Sequence, residues 1–146
     1  MTDERAIQHL LARYVRATDA RDGSAQGALF TDDAVVQILV KSDTGEHLPA
    51  GEPLIGGSGV RWAVDNLMPA LPPGFSSHHL TADHLIEVTG DRGHLNAQFV
   101  VFLTSADGTI RPVESGYYDT DLHRLEDGWR ITRHDVLMDR PPHQPA

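Results

Sequence analysis

The chain has 146 residues, 40% of them hydrophobic and 23% charged, which is typical of one globular domain with a sizeable buried core. Its formal net charge of −9 would repel nucleic acid phosphates and an anionic membrane surface, so we expect neither as a partner. The absence of cysteine excludes disulfides, thiolate nucleophiles and zinc–thiolate sites.

The sequence also lacks the features of an exported or membrane-bound protein. No apolar run approaches the roughly 20 residues that span a membrane. Residues 1–5 do not form a basic stretch followed by an apolar one, so no signal peptide is expected. We therefore expect a cytoplasmic protein.

The first half of the chain predicts three helices. In the first, apolar residues recur at spacings of three and four and give one apolar stripe, with Thr2 or Asp3 as the N-cap. The third is expected to end at Pro69 or at the following pair of prolines. The helices are predicted at residues 3–21, 24–30 and 59–71, with a strand at 34–40 and a turn-rich span at 42–59.

The second half predicts antiparallel strands. Glycine-containing turn signals separate the apolar segments at hairpin spacing. The strands are predicted at residues 85–89, 95–104, 111–124 and 129–137, and the proline-rich residues 139–146 are expected to form a flexible tail. Helices followed by strands indicate an α+β fold, here a single domain over residues 1–138. We expect a curved antiparallel or mixed sheet wrapped over the helices as a cone with an apolar cavity.

The segments "ALFTDDAVV", "SHHLT" and "GYYDTDLHRLEDGWRITRH" follow one another in the order found in a known superfamily. Over residues 4–138 the chain resembles nuclear-transport-factor-2-like proteins, and within them the branch of SnoaL-like polyketide cyclases, scytalone dehydratase and bile acid dehydratase. In these enzymes, an aspartate late in the first helix pairs with a histidine at the start of a strand. The superfamily also contains many proteins without catalytic activity, so the resemblance implies the fold more firmly than the reaction.

The resemblance implies a catalytic pair of Asp19 and His78. "YVRATDARD" matches the aspartate motif with Tyr14 and Asp19, and "HHLTA" matches the histidine motif with His78, although Ala82 replaces its usual asparagine. The strand at 95–104 lacks the further histidine of scytalone dehydratase, which argues against that enzyme's own reaction.

The residue types suit general base catalysis. Histidine changes its charge near neutral pH, and a carboxylate on one ring nitrogen leaves the other free to accept a proton. Two structural alternatives remain open: Asp19 could pair on the surface with Arg16 or Arg21, and His78 could bond only to a backbone carbonyl. We expect His79 and His84 to face solvent or a subunit interface. Adjacent histidines on an extended segment point to opposite faces, so we predict no metal site.

The remaining candidates concern the substrate. Tyr14 could donate a hydrogen bond to a substrate oxygen, although Tyr14 and Tyr118 could equally be core aromatics. The pocket is expected to be apolar and to suit a small hydrophobic or cyclic substrate. No phosphate or dinucleotide motif is present, and we expect no cofactor. The predicted substrate-binding residues are Tyr118, Phe30, Ile38, Trp62 and Phe99.

These features predict a cofactor-independent lyase or isomerase of the dehydratase or cyclase type. Two alternatives are a non-catalytic module for ligand binding or dimerisation, and an accessory β-type subunit of a ring-hydroxylating dioxygenase. Val100 and Phe102 are apolar residues on the strand face away from the predicted cavity. Because exposed apolar patches commonly mark interfaces, we expect a homodimer through the outer face of the sheet.

Overall fold

The chain folds as three helices and seven strands in the computed structural model, which describes residues 1–141. The predicted tail lies outside the described residues from position 142 onward. The elements in chain order are α1 (Asp3–Asp19), α2 (Gly23–Gly27), β1 (Phe30–Lys41), β2 (His47–Pro49), β3 (Leu54–Ile55), α3 (Gly56–Asn66), β4 (Ser76–Thr89), β5 (Arg92–Thr104), β6 (Ile110–Leu125) and β7 (Gly128–Met138).

The strands form one curled, unclosed sheet in the order β2-β1-β7-β6-β5-β4, with β3 also paired to β1. All neighbours are antiparallel except β1 and β7, which are parallel. Helix α1 packs against β4 and β7, and α3 packs against β1. This arrangement confirms the predicted α+β fold with a mixed sheet. Within residues 1–141, none of the helices has the length and apolarity to cross a membrane.

Helix α1 is stabilised by a cap at its N-terminus and by the packing of one apolar face. The side chain of Thr2 accepts a hydrogen bond from the backbone of Arg5 at 3.2 Å, and acidic residues in the first turn complement the helix dipole. The apolar stripe packs into the core through Ile7, Leu10, Leu11 and Val15.

The helix ends two residues earlier than predicted because Arg21 adopts the left-handed conformation, with φ of 53°. The Arg21 amide donates to the Thr18 carbonyl at 3.0 Å and the Asp22 amide to the Ala17 carbonyl at 2.9 Å. These two bonds form a Schellman motif, whose left-handed residue is usually glycine. A side chain in this conformation costs roughly 1–2 kcal/mol.

Strands β5, β6 and β7 show the alternation that the sequence predicts. The inner face of β5 contributes Leu95, Ala97, Phe99, Val101 and Leu103 to the core. On β7, Trp129 and Ile131 are buried, and His134 faces inward while Arg133 is exposed.

Strand β4 differs most from its prediction. It begins at Ser76 rather than at residue 85, so the histidine cluster of His78, His79 and His84 lies within a strand. Its pairing with β5 shifts between Ala82 and Leu85, where Asp83 has φ of 53° and accepts a hydrogen bond from Gln98 at 2.8 Å. Burial alternates regularly on both sides of this bulge, which shifts the alternation by one residue at Asp83.

Candidate functional site

The concave face of the sheet and the helices enclose a cavity of about 690 Å³. This volume falls in the range of small-molecule sites, and most of the lining is apolar. All five predicted substrate-binding residues line it: Tyr118, Phe30, Ile38, Trp62 and Phe99. Tyr118, Phe30 and Phe99 are buried, whereas Trp62 is more than half exposed. Their role toward a substrate stays a prediction.

Asp19 pairs with His79 across the cavity wall. The His79 Nδ1 atom lies 2.6 Å from Asp19 Oδ1, and the His79 backbone amide donates to Asp19 Oδ2 at 2.9 Å. The Ser77 hydroxyl adds a longer bond of 3.4 Å to Oδ1. Both side chains of the pair are largely buried, with exposed fractions of 10% for His79 and 17% for Asp19. No side-chain ion pair joins Asp19 to Arg16 or Arg21 in the part of the chain that the structure describes.

The predicted partner His78 is wrong by one position. In the β4–β5 ladder, His79 lies opposite Val101, which belongs to the inner face of β5. His78 lies opposite Phe102 and is exposed on the outer face. Because side chains alternate along a strand, only one of two adjacent histidines can reach the cavity. The expectation that His79 faces solvent or an interface is therefore also wrong.

The charge of Asp19 fixes which nitrogen of His79 carries the proton. Burial raises the pKa of Asp19, but the hydrogen bonds from His79 and the positive charges of His79 and His78 outweigh this effect, and the net pKa is lowered. An ionised carboxylate only accepts hydrogen bonds, so His79 Nδ1 carries a proton. The Nε2 atom has no hydrogen-bond partner within residues 1–141, and His79 lines the cavity. Neutral His79 is thus arranged to accept a proton at Nε2.

Two tyrosines lie in the same wall as protonated phenols. Tyr14, on α1, packs edge-on against Tyr118 at a centroid distance of 5.6 Å, and Tyr118 stacks on Phe99 at 4.5 Å. Burial raises the pKa of Tyr14. Burial also raises the pKa of Tyr118, with further contributions from Tyr14, Glu114 and Asp19. Both phenols therefore remain hydrogen-bond donors at neutral pH.

The buried pair of His134 and Thr120 was not predicted from the sequence. His134 is 0% exposed, and its Nδ1 atom lies 2.8 Å from the Thr120 hydroxyl, while its Nε2 atom has no partner among the described residues. Burial lowers the pKa of His134 to about 3, so the ring stays neutral. The ring packs 4.6 Å from that of Tyr14. Because side chains alternate along a strand, only one of Arg133 and His134 can face inward, but the alternation alone does not say which one.

Gln26 on α2 was not predicted from the sequence either. Its side-chain amide donates to the Tyr14 carbonyl at 3.2 Å and to the Thr18 hydroxyl. Gln26 is buried and lines the cavity, so it holds α2 against the turn of α1 that carries the tyrosine.

The three side chains of the histidine cluster do not meet at one point. No three histidine, aspartate or glutamate side chains within residues 1–141 lie close enough together to hold a metal ion. His79 bonds to Asp19, His78 is exposed, and the His84 Nε2 atom lies 3.3 Å from the Thr81 hydroxyl.

The chain matches the SnoaL-like domain family over residues 1–135. No curated protein matches it. Among solved structures, it is similar to a single-substitution variant of Rv3472, a protein of unknown function from Mycobacterium tuberculosis. Their sequence identity is 28% and the TM-score is 0.72, over 92% of this chain and 70% of that one.

Two structures from Novosphingobium aromaticivorans share the fold. One is the β subunit of a putative aromatic-ring-hydroxylating dioxygenase, with 24% identity and a TM-score of 0.76 over 97% of this chain and 91% of that one. The other is an NTF2-like protein with a cystatin-like fold, with 21% identity and a TM-score of 0.77 over 93% and 81% of the two chains. These similarities and the cone-shaped architecture confirm the resemblance seen in the sequence, and the chain belongs to the SnoaL-like family.

Proposed function

We propose that the protein is a cofactor-independent lyase or isomerase in which His79, rather than His78, is the general base. The observation that supports this most strongly is the 2.6 Å contact of His79 Nδ1 with Asp19 in the wall of an apolar cavity. A neutral imidazole held in one tautomer by a carboxylate is the base half of many enzyme sites. No other described histidine both lines this cavity and bonds to a carboxylate.

The proposed reaction begins with a proton α to a carbonyl or similar activating group. His79 Nε2 removes this proton, and Asp19 stabilises the imidazolium that forms. The phenol of Tyr14 donates a hydrogen bond to the substrate oxygen as negative charge develops on it. An apolar cavity strengthens both interactions because little water competes with them. Elimination, isomerisation and ring closure all share this first step.

A generic base-catalysed reaction tests the proposal without the natural substrate. In the Kemp elimination of 5-nitrobenzisoxazole, a base removes one carbon-bound proton, the N–O bond breaks, and a coloured phenolate forms. We expect the protein to accelerate this reaction, because the free Nε2 atom of His79 can accept the proton. His79→Ala should remove the acceleration. Asp19→Asn should lower it by about 100-fold, since the tautomer is no longer fixed.

His78→Ala is the matched control, because His78 is the exposed neighbour on the same strand. It should leave the rate within about twofold of wild type, as should treatment with a metal chelator. Equal losses in the His78 and His79 variants, or a rate that disappears on chelation, would contradict the proposal.

A second candidate function is that of an accessory subunit, which the similarity to the putative dioxygenase β subunit favours. In this case the chain would bind a larger catalytic subunit, and the cavity would have no role in turnover. Stable co-purification with such a subunit, combined with no effect of His79→Ala on the activity of the complex, would favour it.

The remaining candidate is a ligand-binding module without turnover. The same cavity and the same apolar lining would serve it. Tight binding of a ring compound together with no proton transfer, in either the Kemp reaction or solvent deuterium exchange, would favour this function over a lyase or isomerase.

A further inference from the structure

Arg21 occupies a backbone position that favours glycine. It is the left-handed residue of the Schellman motif at the end of α1, two residues after Asp19. A side chain at such a position destabilises the local structure, and local strain of this kind is concentrated at functional sites.

The guanidinium of Arg21 is only partly satisfied by the protein. Its Nε atom donates to the Pro69 carbonyl at 3.4 Å, and Nη1 donates to the carbonyls of Thr18 and Asp19 at 3.3 and 3.4 Å. These are long, weak bonds. The Nη2 atom has no partner among residues 1–141, and no carboxylate in that range lies within ion-pair distance.

Arg21 also lies where a ligand can reach it. It lines the apolar cavity and, on its other side, a polar surface depression bordered by Asp22 and Arg61. Within the described chain, it is the only arginine or lysine in the cavity lining. Glu52 and Glu114 contribute negative charge elsewhere in that lining.

We propose that Arg21 binds the anionic group of a ligand whose apolar ring system occupies the cavity. The ligand class is then an organic acid with one carboxylate or similar group, rather than a neutral ring compound. A guanidinium with free N–H groups at the border of an apolar site is suited to this contact. The proposal rests on the proposed function only in taking the cavity as the ligand site.

The net charge of the chain makes the test selective. At −9, the protein as a whole repels anions, so a preference for an anionic ligand requires a local positive charge. Two fluorescent probes with the same ring system isolate that effect: 8-anilinonaphthalene-1-sulfonate, which is anionic, and N-phenyl-1-naphthylamine, which is neutral.

We expect both probes to bind and to displace each other, which places them in one cavity. Arg21→Gln should weaken binding of the sulfonate about tenfold and leave that of the neutral probe within twofold. Arg21→Lys should lose less affinity for the sulfonate, because the charge remains.

Arg21→Gly separates ligand binding from a structural role. Glycine suits the left-handed position, so this variant should melt at the same temperature as wild type or higher, yet lose the sulfonate affinity. A lower melting temperature with equal losses for both probes would show a purely structural role. Unchanged sulfonate binding in Arg21→Gln, or a sulfonate that the neutral probe does not displace, would also overturn the proposal. The Kemp reaction of wild type and His79→Ala tests the general base without either probe, so failure of that proposal would be seen separately.

Discussion

At the scale of single residues, Asp19 organises the site through hydrogen bonds rather than through an ion pair with a fixed cation. It accepts from the backbone and the side chain of His79. The backbone bond fixes the carboxylate relative to β4, and the side-chain bond fixes the imidazole relative to the carboxylate. One residue of α1 thereby positions the proposed base on the edge strand of the sheet.

His134 leads to a prediction about acid stability. Because burial lowers its pKa to about 3, the folded state stays unprotonated where the unfolded chain, with a pKa of roughly 6.5, takes up a proton. Stability should therefore fall as the pH drops below roughly 6.5, by up to about 1.4 kcal/mol per pH unit from this group. Urea unfolding at pH 7.0 and 5.5 measures the effect.

His134→Gln is the control, since glutamine can still bond to Thr120 but does not titrate. The variant should be less stable than wild type at neutral pH, and its stability should fall less steeply with acid. An identical pH dependence in the two proteins would show that His134 is protonated in the folded state.

The identity of the paired histidine could not be predicted from residues alone. The motif placed the base at His78, whereas the structure pairs Asp19 with His79. The segment "SSHHLTAD" consists mostly of polar or small residues, so no apolar alternation reveals which side chains face the cavity. The resemblance pointed to Tyr14 and Asp19, whereas the helical spacing alone left a surface pairing of Asp19 open.

At the scale of elements, the strand faces follow from alternation wherever it is strong. In β5, apolar residues at every second position predict the inner face, and the structure confirms it. The face of β4 is set instead by its register with β5, which places His79 opposite Val101. Register is a tertiary property and is not encoded within the strand itself.

On the outer face of the sheet, His94 links β5 to β6. It leads to a prediction in which stability changes with pH in the direction opposite to that of His134. Its Nδ1 atom lies 2.7 Å from Asp121 and its Nε2 atom 2.9 Å from Asp119, both on β6. The hydrogen bond to Asp121 raises the pKa of His94, burial opposes it, and the charges of the two aspartates add to it. The resulting stability is present below the unfolded pKa of roughly 6.5 and is lost as the pH rises through the folded value.

His94→Gln should therefore lower the melting temperature more at pH 6 than at pH 9. The effect should be small and should shrink with added salt, because these side chains are about half exposed. A difference between wild type and variant that grows with pH would contradict this assignment.

At the scale of the whole molecule, element order alone predicts the cone: helices first, then hairpins, then a sheet curled over them. The strands β2 and β3 were missed because each has two or three residues within a turn-rich span. They are strands only because β1 offers its edge for pairing. Short elements of this kind depend on a partner and leave little signal in sequence.

The outer face of the sheet supports the expected homodimer, which we propose as the assembled state. Leu80 on β4 is 59% exposed and lies opposite Val100, beside Phe102 on the same face. Burying such a patch against a second copy would stabilise it. Light scattering at micromolar concentration should give about twice the chain mass of 16.0 kDa.

Leu80→Glu should shift the protein toward monomer without lowering its stability as a monomer. Leu48→Glu, an exposed leucine on the edge strand β2, is the matched control and should remain dimeric. A wild-type mass of one chain would refute the homodimer.

The central claim is that Asp19 holds His79 with Nε2 free to accept a proton. Nitrogen-15 NMR of the histidine rings at pH 8, assigned with His79→Ala and His78→Ala, measures this directly. We expect a neutral His79 with the proton on Nδ1 and an unprotonated Nε2, and loss of that tautomer preference in Asp19→Asn. A proton on His79 Nε2 at this pH, in either the neutral or the charged ring, would contradict the claim.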